Sequence, residues 1–95
     1  MEIDIRPWGK YEVLLDSDNV KVKRITVNPY SRLSYQYHEE RREQWTVVSG
    51  ILTVILDDER VFRSPGESIK IPLGAKHRAW NEDDIIRIED DYKRN

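Results

Sequence analysis

Cysteine is absent from this 95-residue chain, which excludes both a disulfide and a thiolate ligand. A metal site would therefore have to use nitrogen and oxygen donors. The chain has no apolar run of the roughly 18 residues that a membrane span needs, and its first residues, MEIDIRPWGK, alternate charged and apolar side chains. These absences predict a soluble, cytoplasmic protein without a targeting segment and without a membrane partner.

Positive charge is not in excess either, because the formal net charge is -2 and the last third of the chain is acidic. Such a surface repels a phosphate backbone, so nucleic acid is not expected as a partner. Hydrophobic residues make up only 38% of the chain, which limits it to one small core. We predict a single domain over residues 1–95 that covers its remaining apolar surface by forming a homodimer.

The chain does contain short segments in which β-branched and aromatic residues alternate with polar ones. They read KYEVLL, VKVKRITV, RLSYQYH, QWTVVSG, ILTVIL, RVFR and SIKIP, and turn sequences such as DSDN, NPYS and SPGE separate them. The pattern predicts an all-β chain folded as a small antiparallel barrel or jelly roll. A last strand is predicted at Ile85, Ile86 and Ile88, followed by a charged tail.

Only two histidines are present, and the first lies in a strand-like segment. Because alternate residues of a strand share a face, Gln36 and His38 should point the same way. Glu43 begins the next strand, and a hairpin between the two would bring these three side chains together. Their oxygen and nitrogen atoms suit a borderline divalent cation. A fourth donor, His77, follows a Pro-x-Gly turn later in the chain.

The spacing of these residues resembles the paired signature of the cupin superfamily, which folds as a small β-barrel. The second motif of that signature is matched at every position by Gly66, Pro72, Gly74, His77 and Asn81. The first motif is matched by His38, Glu43 and Gly50, while Gln36 stands in place of its first histidine and Tyr30 in place of its opening glycine. The resemblance implies a small cupin β-barrel of the jelly-roll type.

A narrower resemblance is to the C-terminal isomerase domain of type II phosphomannose isomerases. The stretches RPWGKYEVL, VKRITVNPYSRLSYQYH, EQWTVVSG, FRSPGESIKIPLGAKHR and EDDIIRIEDDY carry it over nearly the whole chain. It implies a mannose-6-phosphate-type aldose-ketose isomerase with a sugar phosphate as substrate. It also implies one divalent metal ion, zinc first and manganese, cobalt, nickel or iron as alternatives, held by Gln36, His38, Glu43 and His77.

The chemistry so implied moves a proton between C1 and C2 of the sugar while the metal polarises the carbonyl group. Arg41 matches an arginine of the family that is thought to serve catalysis. The general base is left open between Glu40, Lys76 and Lys70. Arg41, with Lys76 and Arg78 as further candidates, could contact the phosphate or the charge that develops on oxygen.

The chain also departs from the isomerase pattern. The family's HHHRAEHW is here HEERREQW, and a strand and loop that usually follow the asparagine of the second motif are missing after Asn81. The barrel should therefore be short by about one strand, unless the IIRIE segment has taken its place. Two alternatives follow from these departures: another small metal-dependent cupin enzyme such as an oxygenase, or a non-catalytic or degenerate metal- or sugar-binding cupin.

Overall fold

A computed structural model describes residues 2–36, 41–81 and 86–94, with only the backbone described for residues 41, 86, 87 and 89–94. All the regular structure in these residues is β-strand, so they form no helix that could cross a membrane. The prediction of an all-β chain is confirmed. The strands are β1 (Glu2–Arg6), β2 (Gly9–Asp16), β3 (Val20–Val27), β4 (Arg41–Ser49), β5 (Leu52–Leu56), β6 (Glu59–Arg63), β7 (Ser68–Ile71), β8 (His77–Trp80) and β9 (Ile86–Arg94).

The strands form two antiparallel sheets. The large sheet has the order β1-β2-β3-β9-β4-β7, and the small sheet has the order β6-β5-β8. Strand alternation turns one side of each sheet inward, and these apolar side chains form one core. The large sheet supplies most of the core and the small sheet adds residues from β5 and β8; the buried members are Ile25, Val27, Leu33, Trp45, Val47, Leu52, Val54, Ile69, Ile71, Ala75, Ala79 and Ile88.

The C-terminal strand is longer than the sequence predicts. β9 continues to Arg94 and pairs along its length with β3 on one side and β4 on the other, so the predicted charged tail is wrong. The register places Glu89 opposite Arg24 and Asp90 opposite Lys23, which brings positions of opposite charge together across the strands. The segment that includes Ile88 thus fills the middle of the large sheet, the alternative that the sequence left open.

The alternation of RLSYQYH predicts a continuous strand. The structure describes this segment up to Gln36, and up to that residue it forms no continuous strand. Two isolated bridges connect it to β8, Arg32 with Trp80 and Gln36 with His77. Between these bridges the segment advances four residues while β8 advances three, and an unequal count of this kind interrupts a ladder as a bulge does. Residues 37–40 lie outside the described part of the chain.

A tight turn between β5 and β6 is held by contacts from outside the hairpin. Its two central residues, Asp57 and Asp58, have φ values of 47° and 68°, as a type I′ turn requires. The Tyr35 hydroxyl donates to Asp58 Oδ1 at 2.9 Å and accepts from the Asp58 amide at 2.9 Å. Desolvation and the hydrogen bond to Asp58 raise the pKa of Tyr35, so this phenol keeps its proton at neutral pH.

Replacing Tyr35 with phenylalanine should loosen this turn, because both hydrogen bonds depend on the phenolic oxygen. We expect a lower urea midpoint and faster hydrogen exchange at the Asp58 amide. Tyr30→Phe is the matched control, since the Tyr30 side chain is exposed. Equal exchange rates in the two variants would contradict the expected role of Tyr35.

Candidate active site

A glutamate and a histidine meet in the core where the two sheets face each other. Glu43 comes from β4 of the large sheet and His77 from β8 of the small sheet. Glu43 Oε2 lies 2.8 Å from His77 Nε2, and both side chains are buried. Buried ionisable groups remain in a core only when they are paired or bind a metal, so this contact marks the site.

The second ring nitrogen of His77 fixes the orientation of the first. His77 Nδ1 lies 2.9 Å from the carbonyl oxygen of Ala75, which can only accept a hydrogen bond, so Nδ1 carries a proton. Nε2 therefore faces the Glu43 carboxylate either as part of an imidazolium or with its lone pair. In the first case a proton joins the two side chains, and in the second both present lone pairs that a cation can share.

Trp45 closes one side of this pair. Its ring stands edge-on to the His77 ring, with 5.6 Å between the centroids and an interplanar angle of 77°. The side chain is 2% exposed, and its indole Nε1 has no hydrogen-bond partner among the described residues. A large apolar wall at this point keeps water from the imidazole and limits its rotation.

Gln36 lies beside His77 because the two residues pair directly. Their backbones exchange hydrogen bonds of 3.0 and 2.7 Å, and residues paired in this way project their side chains to the same side. Gln36 also lines the same pocket as Glu43 and Trp45. The structure thus brings together three of the predicted metal ligands, while His38 lies outside the described residues.

The donors of this group fit a divalent cation. An imidazole nitrogen, a carboxylate and an amide oxygen are the ligand types that borderline metals accept, and Ala75 holds the imidazole as an outer partner. The residues whose side chains are described contain no group of three or more His, Cys, Asp or Glu that could hold a metal. A complete site would therefore depend on Gln36 and on the predicted ligand His38.

A pocket of about 300 Å³ opens from this group. That volume is at the lower end of the range for small-molecule sites. Aromatic side chains form much of the wall, namely Trp8, Tyr11 and Trp45. The pocket can therefore take a small, partly polar ligand between aromatic faces, with Glu43 on its wall.

Two cations that also line the pocket, Arg6 and Lys23, were missed by the sequence reasoning. A signal for Lys23 existed, because it is in phase with Ile25 and Val27 on β3, and both of these are buried. A lysine that shares a face with core residues points inward. Arg6 lies on β1, which belongs to the alternating MEIDIRPWGK segment, and no feature of that segment indicates where the strand pairs.

Tyr11 and Asp4 organise this end of the pocket. The Tyr11 hydroxyl donates to Asp4 Oδ2 at 2.7 Å, and Arg6 reaches the same oxygen at 2.8 Å. The hydrogen bond from Tyr11 is the largest cause that holds the pKa of Asp4 below its ordinary value; desolvation comes next and raises the pKa, and the charge and hydrogen bond of Arg6 lower it further. The Asp4 carboxylate therefore stays ionised to a lower pH than an ordinary aspartate does.

Removing the hydroxyl in Tyr11→Phe should raise the pKa of Asp4 toward the ordinary value of 3.8. Because the folded state lowers this pKa, its contribution to stability is present above pH 3.8 and is lost as the pH falls through the lower folded value. NMR titration of the Asp4 carboxyl carbon in both proteins measures the change. An unchanged Asp4 titration would show that Tyr11 does not lower this pKa.

Comparison with known proteins supports the family. A model of the C-terminal domain of mannose-6-phosphate isomerases matches residues 2–86. The chain belongs to this family. A mannose-1-phosphate guanylyltransferase of Escherichia coli K12 is 40% identical over 94% of the chain, and the alginate biosynthesis protein AlgA of Pseudomonas aeruginosa is 38% identical over the same share. The chain spans about a fifth of the length of these relatives, 22% in both cases.

Solved structures show the fold of this family member. KdgF from Halomonas sp. superposes with a TM-score of 0.91 at 18% identity, covering 100% of this chain and 87% of that one. An RmlC-like cupin from Shewanella frigidimarina gives 0.87 at 20% identity, covering 99% and 84%. The predicted small cupin fold is confirmed, in the form of two sheets that strand pairing does not close into a barrel over the described residues.

The remaining site predictions for this family member fall in different places. Glu40 lies outside the described residues, and only the backbone of Arg41 is described. Lys76 is exposed and outside the pocket, with its backbone paired to Asp57, and Lys70 is exposed on β7. The Arg78 guanidinium lies 5.6 Å from the centre of the Tyr35 ring. None of these five residues has a described side chain that lines the pocket.

Asn81, the last residue of the second motif, has a structural position. Its side-chain amide donates to the carbonyl oxygens of Val27 and Asn28 at 2.9 and 3.1 Å, and its backbone amide donates to Ser31. It is fully buried. Asn81 therefore ties the end of β8 to the end of β3, which holds the two sheets together beside the site.

Proposed function

We propose that this chain acts as a metal-dependent aldose-ketose isomerase on a sugar phosphate of the mannose 6-phosphate type. The observation that carries the proposal is the buried contact of 2.8 Å between Glu43 and His77, beside Gln36 and at the wall of a pocket. The family match over residues 2–86 supports the substrate class. The curated relatives at 40% and 38% identity include proteins named for mannose 1-phosphate and for alginate biosynthesis.

In this proposal Gln36, His38, Glu43 and His77 hold one divalent ion, zinc first among the candidates. When bound, the ion would supply Lewis acidity that polarises the sugar carbonyl. The carbonyl of Ala75 keeps the proton on His77 Nδ1, so that Nε2 remains available as a ligand. Trp45 excludes water from this side of the pair, which strengthens the electrostatic interactions within it.

Isomerisation also needs a base at the C2 hydrogen and a cation for the negative charge that develops on oxygen. We propose Arg41, the first residue of β4, as the cation and Glu40, its neighbour in the sequence, as the base. Lys76 stays a second candidate for the base. The Lys76 side chain is exposed and does not line the pocket, which counts against this role.

Metal content and turnover measured on the same samples test this proposal. The purified protein should bind close to one equivalent of zinc by elemental analysis, and it should interconvert mannose 6-phosphate and fructose 6-phosphate in a coupled assay. Glu43→Ala and Gln36→Ala should lower both the metal content and the rate, the rate by about a hundredfold or more. Lys10→Ala, on the face of β2 opposite to the pocket-lining Tyr11, is the control. A metal-loaded protein without turnover would contradict the isomerase proposal.

A second function is favoured by the direct contact between Glu43 and His77. With a proton between them the two side chains satisfy each other, so the core needs no metal for its stability. A non-catalytic sugar-binding cupin would keep such a pair. This alternative requires that mannose 6-phosphate binds to metal-free protein and is not converted, with or without added zinc.

A further inference from the structure

Two positively charged side chains line the pocket and have no role in the chemistry proposed above. Arg6 lies at the end of β1 and Lys23 lies on β3, so the large sheet supplies both. The register pairs Asp4 with Tyr11 and Val13 with Lys23, which places all these residues on the same face of the sheet as the buried Ile25. The two cations therefore share one wall of the pocket.

The Tyr11 ring positions both cations. The Lys23 ammonium lies 4.4 Å from the ring centroid and the Arg6 guanidinium lies 5.7 Å from it. Arg6 is also paired with Asp4 at 2.8 Å, although its side chain remains 49% exposed. Contacts with a ring face and a carboxylate restrict both side chains before any ligand arrives, which lowers the entropy cost of binding.

A phosphate group matches this pair of cations. A guanidinium donates two parallel hydrogen bonds to phosphate oxygens, and an ammonium adds a compact charge. Glu43 lines the same pocket and would repel an anion, so the two sites favour opposite ends of one ligand. We propose that Arg6 and Lys23 form an anion subsite that binds the phosphate group of the sugar phosphate.

The subsite gives the bound ligand a direction. With its phosphate on Arg6 and Lys23, a hexose phosphate would place its sugar between the aromatic walls and extend toward Gln36 and Glu43. The identity of the sugar rests on the proposed isomerase function, whereas recognition of the anion rests on the two cations themselves. Binding and turnover can therefore fail independently.

The test is a set of calorimetric titrations in EDTA, so that no anion can bind through a metal. The probes are inorganic phosphate, mannose 6-phosphate and mannose. Arg6→Gln and Lys23→Gln remove one charge each while keeping most of the packed stem. Lys10→Gln removes the same charge from the opposite face of β2, next to Tyr11, and is the matched control.

We expect both phosphates to bind the original protein and mannose to bind much more weakly. Arg6→Gln and Lys23→Gln should each weaken phosphate binding by about tenfold or more, and Lys10→Gln by less than about twofold. Asp4→Asn should change the phosphate affinity in the opposite direction, because the Asp4 carboxylate competes with phosphate for Arg6. It should bind phosphate about twofold to fivefold more tightly, an increase that general loss of structure would not produce.

Three results would overturn the subsite. They are a failure of the original protein to bind phosphate, binding of phosphate by Arg6→Gln and Lys23→Gln as tightly as by the original protein, or a loss of affinity in Lys10→Gln as large as in those two variants. Phosphate binding that requires Arg6 and Lys23, in a protein without isomerase turnover, would support the subsite and reject the proposed function. Turnover of mannose 6-phosphate with an unchanged KM in both variants would reject the subsite and leave the function standing.

Discussion

Replacing His77 with leucine should lower the free energy of unfolding by about 3–5 kcal/mol, because it leaves the carboxylate of Glu43 buried without the imidazole 2.8 Å away. Both side chains are at most 5% exposed, so water cannot substitute for the missing partner. The same variant should lose its metal. Urea unfolding in EDTA measures the first effect, and elemental analysis after zinc loading measures the second.

The double variant Glu43→Leu with His77→Leu separates charge from packing. When both ionisable groups are removed no buried charge remains, so the double variant should be more stable than His77→Leu alone, although it too binds no metal. If the two substitutions instead destabilise additively, the contact between Glu43 and His77 contributes nothing, and the site as described would be wrong.

Gly9→Ala should be the most damaging of the small changes in this chain, at about 3 kcal/mol or more. Gly9 has a φ of 149°, and a Cβ built there would overlap the carbonyl oxygen of Thr26 and lie 3.0 Å from its carbonyl carbon. Both atoms belong to the backbone of β3, which pairs with β2 at this point. Relief would require the strands to separate beside Trp8 and Tyr11.

Gly74→Ala is the control for Gly9→Ala. Gly74 has a φ of 76°, but nothing lies within 4 Å of a Cβ built there, so the only cost expected is the strain of alanine in the left-handed region, about 1 kcal/mol. Thermal or urea unfolding of the two variants measures the difference. Gly9→Ala should also weaken phosphate binding, because Trp8 and Tyr11 line the pocket. Equal stability of the two variants would show that the strands yield at Gly9.

Strand alternation and motif spacing predicted a large part of the fold and of the site. Runs such as VKVKRITV and ILTVIL predicted β3 and β5 because a two-residue period persists wherever one face of a strand is buried. The spacing of Gly66 to Asn81, taken together with that of His38 to Gly50, resembles the cupin signature, and this resemblance made His77 a candidate ligand. The resemblance to cupins also implied that His77 and Glu43 belong to one site, since no local pattern connects residues that lie about 34 positions apart in the chain.

Pairing between distant strands explains the two wrong predictions of secondary structure, the charged tail after Ile88 and the strand RLSYQYH. The segment after Ile88 is charged enough to be predicted as a tail, yet it becomes part of β9 because β3 and β4 satisfy its backbone on both sides. RLSYQYH has the alternation of a strand, but its two bridges to β8 differ in register by one residue, so no continuous ladder forms. In both cases the partner strand decided whether the segment became part of a sheet, and the local sequence of a segment does not specify which strand it pairs with.

By itself, the sequence determined the all-β class, the single small core and the exclusion of thiolate ligands, and it predicted Gln36, His38, Glu43 and His77 as donors. Only the tertiary structure placed Glu43 against His77, opened a pocket beside them and turned Arg6 and Lys23 into it. The reason is physical: composition and period act within a strand, whereas a pocket is made where separate strands meet, and that meeting depends on register.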